Sequence, residues 1–259
     1  AALGEQTLAS VRICPLHGSL PQEDQDRALL PSRKGERKIV LSTSVAETSL
    51  TVEGITVVID SGLARVSRFS PRTGMTRLET VAVSRASADQ RRGRAGRLAP
   101  GTCYRLRSEE EERRLPISSP PEIREADLAP LMLELAAWGT PDPDDLKWLD
   151  PPPGPAVQQA RELLTALGAL TSDGTITPHG RQMAAFGMHP RLSHMLLLAR
   201  PLGLADWACE IAVLLGERDS ARPSGGGSVD ADFRSRLEAL RGYGPLRLEE
   251  GVRRRLQEQ

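Results

Sequence analysis

Gln90-Arg91-Arg92-Gly93-Arg94-Ala95-Gly96-Arg97 sets four arginines among two glycines and an alanine, opened by a glutamine. If the segment is helical, Gln90, Arg94 and Arg97 lie four and three residues apart and share one face. Each glycine inside a helix costs about 1 kcal/mol relative to alanine, so two of them so close serve something other than helix stability. Small residues let a second surface approach. A guanidinium, charged at any working pH, then meets phosphate oxygens in two-point contact. The spacing predicts phosphate recognition. The plainer alternative is a solvated basic helix end or a turn held by glycines.

Two other stretches offer groups of similar use. Leu41-Ser42-Thr43-Ser44-Val45-Ala46-Glu47-Thr48-Ser49 leaves an apolar strand with hydroxyls clustered at its end. In doubly wound sheets, ligands bind beyond the carboxyl ends of the strands, where hydroxyls and backbone N–H groups hold a sugar-phosphate chain; simple helix capping is the alternative. The turn at Gly18-Ser19 likewise offers backbone N–H groups at a helix start. A β-hairpin is predicted around Ser70-Pro71-Arg72-Thr73-Gly74. Its arginines, Arg65, Arg68, Arg72 and Arg77, make it basic, and a merely solvated ribbon is the competing reading.

The elements that must position these groups alternate. Val11–Cys14 is β-prone, and a helix follows to about Leu30, with Ser19 or Leu20 at its cap and Pro21 near the first helical position. Lys38–Leu41 and Thr56–Asp60 read as short, fully buried strands, and Gly101–Leu106 as one more. This order predicts an α/β fold: a parallel sheet with helices on both faces. Further on, Leu128, Leu131, Met132 and Leu135 mark one helix, and Val157, Ala160, Leu163, Leu164 and Leu167 a second. Asp173-Gly174 reads as a hairpin turn, and Pro178 starts a third helix, through Phe186. Helix, helix, hairpin, helix is the outline of a winged helix. Arg191–Leu202, Ala205–Leu215, Asp232–Leu240 and Gly251–Leu256 read as helices, and residues 1–10 as the tail of one.

Composition narrows the classes. The 259 residues suffice for two domains, and 39% apolar content supports ordinary cores. The formal net charge is zero, so any nucleic-acid contact comes from local patches rather than a global field. Cys14, Cys103 and Cys209 show neither metal-ligand spacing nor an even count, which disfavours a disulfide framework and suits a reducing, cytoplasmic setting. There is no signal peptide and no apolar run of transmembrane length. Neither end reads as a domain boundary, as expected of a piece of a longer chain.

Together the three motif stretches resemble the second RecA-like domain of DEAH-box RNA helicases, most closely the bacterial HrpB group. Leu16 to Pro21 resembles the segment before motif V, Ser42 to Thr51 motif V, and Gln90 to Arg97 motif VI. Ile117–Asp127, Trp148–Pro153 and Leu167–Arg191 resemble the linker, the winged helix and the start of a ratchet-like helical domain. The resemblance implies a RecA-like domain at 1–115, a winged helix at 116–188 and the start of the ratchet-like domain at 189–259. It implies an NTP-dependent enzyme, using ATP or another NTP with Mg²⁺, that moves 3′ to 5′ along RNA, on a single-stranded 3′ tail or a duplex. Gln90, Arg94 and Arg97 would face the terminal phosphate, the arginines as fingers. Glu53 would lie near the ribose and the attacking water, with Leu29 at the base. Gly18, Ser19, Ser42 and Thr43 would touch RNA phosphates, and Arg68 and Arg72 would stand at the strand-separating end.

Two departures are visible. Ser44 replaces the commoner Asn of motif V, and Leu29 replaces an aromatic that eukaryotic members stack on the base, so base selectivity is expected to be weak. No G-x-x-x-x-G-K-[ST] loop and no Asp-Glu-Ala-His occurs. The preceding RecA-like domain would hold the metal and most of the nucleotide, and this chain alone is expected not to hydrolyse NTP. The alternatives are a non-catalytic winged-helix nucleic-acid-binding module, which needs a basic recognition helix, and a DNA helicase.

Overall fold

Cys14, Leu16 and Val40 point to one side of the first two strands and draw a helix onto it. β1 (Val11–Leu16) and β2 (Arg37–Ser42) pair in parallel, Val11 opposite Arg37 and Leu16 opposite Ser42. Parallel neighbours need a crossover, which α1 (Gln22–Leu29) supplies. Buried Cys14, Leu16 and Ala28 form a small core, with Leu29, Val40, Val45, Ala46 and Val52 packed on it. The computed structural model describes residues 11–32, 35–47, 51–71, 73–216, 222–223, 232–244 and 246–248. The expected helices at residues 1–10 and 251–256 lie outside them. The chain divides into two compact units, Ala1–Ala126 and Asp127–Gln259.

The rest of the first unit follows the same logic. β3 (Val57–Asp60) pairs in parallel with β6 (Thr102–Arg105). β4 (Leu63–Ser70) and β5 (Met75–Ala82) form the predicted antiparallel hairpin. Its turn closes through Thr73 N and Gly74 N, both donating to Ser70 O, with Gly74 at φ +64°. α2 (Arg85–Arg92) is capped by Ser84, whose hydroxyl accepts from Ser87 N. α3 (Glu109–Arg114) carries a full capping box between Ser108 and Glu111.

Two expectations are corrected here. The strands are not buried on both faces: Ile39 and Leu41 are 48% exposed, Val57 51% and Ile59 67%. α1 shields only the face carrying Cys14, Leu16 and Val40, and the opposite face stays open. The cap of α1 is Pro21 rather than Ser19 or Leu20. Ser19 Oγ is already engaged with His17 Nδ1 at 2.8 Å, and Leu20 N closes a turn onto His17 O. The acidic run Glu109–Glu112 is the first turn of α3, where carboxylates favour the positive helix end. Residues 116–125 hydrogen-bond within the first unit: Arg85 N donates to Pro116 O, Ala86 N to Ile117 O, and Phe69 N to Glu125 O.

In the second unit, α4 (Ala129–Trp138), α5 (Gly154–Ala166) and α6 (Pro178–Ala185) give the winged-helix outline. Its wing is reduced to one antiparallel bridge, Leu170 opposite Ile176. Asp173 shapes the turn by accepting from the hydroxyls of Thr171 and Thr175. α7 (Pro190–Ala199), α8 (Ala205–Gly216) and α9 (Phe233–Leu240) follow. Arg241, just past α9, lies 3.7 Å over the Trp207 ring and forks onto Glu210, both on α8.

Asp127 and His189 join two helix starts. Asp127 Oδ1 accepts from Ala129 N at 2.9 Å, His189 Nδ1 accepts from Arg191 N at 3.2 Å, and His189 Nε2 lies 3.0 Å from Asp127 Oδ2. Burial pushes the Asp127 carboxyl up, but the bonds from His189 and Ala129 N outweigh it, so the net direction is down. A carboxylate lowered on folding contributes stability that is complete above its unfolded value of about 3.9 and is lost as the pH falls through the lower folded value. Asp127→Asn is expected to cost about 1–2 kcal/mol at pH 7. Its deficit should shrink below about pH 4, as read by denaturant melts of parent and variant across the acid range. A deficit equally large at about pH 2 contradicts this assignment.

Candidate nucleotide and nucleic-acid site

The octet is not one helix. α2 ends at Arg92, and the chain continues in tighter turns, with Arg94 N donating to Arg91 O and Ala95 N to Arg92 O, both at 3.1 Å. Gly93 and Gly96 weaken the helix at this point. Ala95 is 2% exposed, and a Cβ on Gly101 would sit 2.2 Å from its carbonyl oxygen. The backbone therefore closes on itself where only glycine fits. Gln90 thus stays on α2, exposed, while Arg94 and Arg97 sit on the turn beyond it. A Cβ on Gly96 would meet nothing within 4 Å, so the octet faces open space at that residue.

Both turn arginines reach the segment after β2. Arg94 Nη2 donates to Glu47 O, and Arg97 Nη1 to Thr51 Oγ1. Partial burial and then the nearby Arg97 charge hold the Arg94 guanidinium below its ordinary value. The two cations are thus close enough to repel, an arrangement suited to an anion between or beside them.

The candidate RNA-contact residues gather at the ends of β1 and β2. Gly18 and Ser19 are exposed just past β1, and a Cβ on Gly18 would meet nothing. Thr43 N donates to Leu16 O, tying the two strand ends together. Ser42 Oγ donates to Thr43 O at 2.8 Å, so that hydroxyl is turned onto the backbone. Thr43 precedes the short 3₁₀ turn Ser44–Ala46 but makes no side-chain cap bond, and it is exposed. Capping alone does not account for it. Thr48, Ser49 and Leu50 lie outside the described residues.

The remaining candidates are elsewhere. Glu53 is exposed, its N–H donating to Leu29 O at 3.3 Å, while the Leu29 side chain is partly buried in the α1 core. On the hairpin, Arg68 is exposed but paired with Glu79 at 3.4 Å and Glu125 at 3.0 Å. Arg77 stands directly opposite Arg68 in the ladder, and Arg72 lies outside the described residues. Among the described residues, no group of three His, Cys, Asp or Glu comes together to hold a metal. None of their helices is long and apolar enough to cross a membrane.

A buried ionic network that no motif in the sequence announces lies behind the octet. Arg91, 16% exposed, donates from Nε to Glu47 Oε2 at 3.0 Å and from Nη1 to Asp60 Oδ1 at 2.8 Å. Asp60 is fully buried, and its Oδ2 lies 3.5 Å from Arg107 Nη1. Arg107 and Arg105 both meet Glu112, and Arg105 reaches Asp89 at 2.6 Å. Burial opposes the Arg91 charge, but the bonds to Asp60 and Glu47 raise its value overall. Gly62, at φ +75°, leaves room for Arg107, since a Cβ there would fall 2.7 Å from Nη1. The one signal in the sequence was an aspartate closing an otherwise apolar strand.

Comparison with known proteins agrees with this layout. Residues 2–99 match the helicase conserved C-terminal domain, and residues 160–188 match the winged-helix helicase associated domain, HA2. The chain is 47% identical to the ATP-dependent RNA helicase HrpB of Escherichia coli (strain K12), covering 81% of this chain and 26% of that protein. It is 42% identical to the pre-mRNA-splicing factor ATP-dependent RNA helicase prp22 of Schizosaccharomyces pombe, covering 78% of this chain and 18% of that one. Two crystal structures of Escherichia coli HrpB superpose with TM-scores of 0.83 and 0.79, both at 42% identity; each covers 96% of this chain and 30% or 29% of the other. The chain thus spans 18–26% of these two curated relatives. With the octet, the segment after β2 and the winged-helix outline in agreement, the chain carries a helicase conserved C-terminal domain followed by a winged-helix HA2 region and is similar in sequence and structure to HrpB of Escherichia coli.

Proposed function

We propose that this chain is the phosphate-sensing and RNA-gripping half of an NTP-driven RNA helicase. The observation that carries the reading is the pair Arg94 and Arg97, on the turn beside open space at Gly96 and both touching the segment after β2. In this reading a preceding RecA-like domain supplies the phosphate-binding loop and holds Mg²⁺, which would neutralise charge on the phosphates. Arg94 and Arg97 offset the charge on the terminal phosphoryl group, and Gln90 orients towards it from the end of α2. Gly18, Ser19 and Thr43 grip the RNA backbone, so closure and reopening of the cleft shift that grip in 3′-to-5′ steps. Contacts to phosphate carry no sequence information, so affinity should fall steeply with salt and vary little with sequence.

The test is NTP hydrolysis and strand separation by the complete helicase, on matched RNA and DNA duplexes with 3′ tails. RNA-stimulated hydrolysis, RNA unwinding and comparable turnover of ATP, GTP, CTP and UTP are expected. Preference for the DNA duplex would reassign the enzyme as a DNA helicase. RNA binding with no hydrolysis would leave only a winged-helix binding module.

A further inference from the structure

Glu47 is held at three points by the octet and the helix before it. Ser87 Oγ donates to its Oε1, Arg91 Nε to its Oε2, and Arg94 Nη2 to its main-chain oxygen. Arg91 also donates to Asp60 Oδ1 and to Leu63 O at 3.1 Å. A single guanidinium therefore spans the segment after β2, the end of β3 and the start of β4. Glu47 lies four residues beyond Thr43, in the same short segment that turns through Ser44–Ala46.

We propose that Arg91 is a positioning residue that couples the two ends of the site, a role resting on the proposed function above. When Arg94 leaves the Glu47 carbonyl to meet a phosphate, the Glu47 carboxylate stays tethered to Arg91. Movement of the turn is then passed to residues 43–47 and changes the grip on RNA. The fork is essential to this, because Arg91 uses Nε for Glu47 and Nη1 for Asp60 and Leu63. A lysine keeps the charge but acts as one point and satisfies only one of the two carboxylates.

The experiment is a pair of affinities in the complete helicase: labelled oligouridylate RNA without nucleotide, and with ADP–aluminium fluoride. The parent should show RNA affinities differing by about tenfold or more between the two states. R91K and E47Q should bring that ratio to within about twofold of unity, while nucleotide-free affinity stays within about threefold of the parent. A ratio preserved in both variants overturns the proposal alone. Equal loss of affinity in both states together with a lowered melting temperature also overturns it, since Arg91 would then be only structural. A parent with no nucleotide-dependent RNA affinity overturns the functional reading and this proposal with it.

Discussion

Arg94→Ala in the complete helicase is expected to lower kcat for NTP hydrolysis by about 10³-fold or more, the usual scale for a finger that meets a transferred phosphoryl group. Arg97→Ala should be comparable. The KM for NTP should move much less, since the contact forms chiefly as charge builds in the transition state. The resting geometry supports this division. Arg94 donates to a carbonyl oxygen and Arg97 to a threonine hydroxyl, contacts that a phosphate oxygen can replace. Thr51 is exposed, and so is Arg97, so leaving that contact costs little. Arg91 by contrast grips two carboxylates and is not free to swing. Single-turnover hydrolysis with saturating RNA measures the effect. An Arg94→Ala enzyme within tenfold of the parent contradicts the finger assignment.

Much of this layout was legible in the sequence. The hairpin followed from Ser70-Pro71 and Gly74, because a glycine at positive φ is what such a turn requires. The octet stood out because phosphate chemistry requires arginine and close approach requires glycine. The same glycines concealed the local fold: they end α2 at Arg92, so a helical wheel drawn through Gly93 put Gln90, Arg94 and Arg97 on one face when they belong to two elements. The exposed faces of β2 and β3 were misread because an unbroken apolar run looks the same whether one side or both are covered. α3 was missed although Ser108 and Glu111 have capping-box spacing. The links Glu47–Arg91, Asp60–Arg107 and Asp127–His189 could not be read at all, since a single sequence carries no record of pairings between distant positions.

Asp60→Ala is expected to destabilise the chain by about 3–5 kcal/mol, near the upper end for a single substitution. Asp60 is fully buried between two arginines that are 16% and 6% exposed. Removing it takes away the carboxylate the two guanidiniums share and leaves each with one outer partner, Glu47 or Glu112, and buried charges are tolerated only when well paired. Its Oδ1 also accepts from Gly62 N at 3.0 Å, so the bend into the hairpin loses its anchor as well. Asp60→Asn separates these effects: the amide oxygen can still take the Gly62 bond while the charge is gone. A loss in Asn nearly as large as in Ala would assign most of the cost to charge balance, because Asn keeps the shape and the Gly62 bond; a small loss in Asn would assign it to that bond and the filled space. Urea melts of parent, Asn and Ala chains give the comparison. A cost below about 1 kcal/mol for Ala would mean that water reaches Arg91 and Arg107 once the carboxylate is removed. In that case the network behind the octet would be too soft to hold Glu47 in register with the turn arginines.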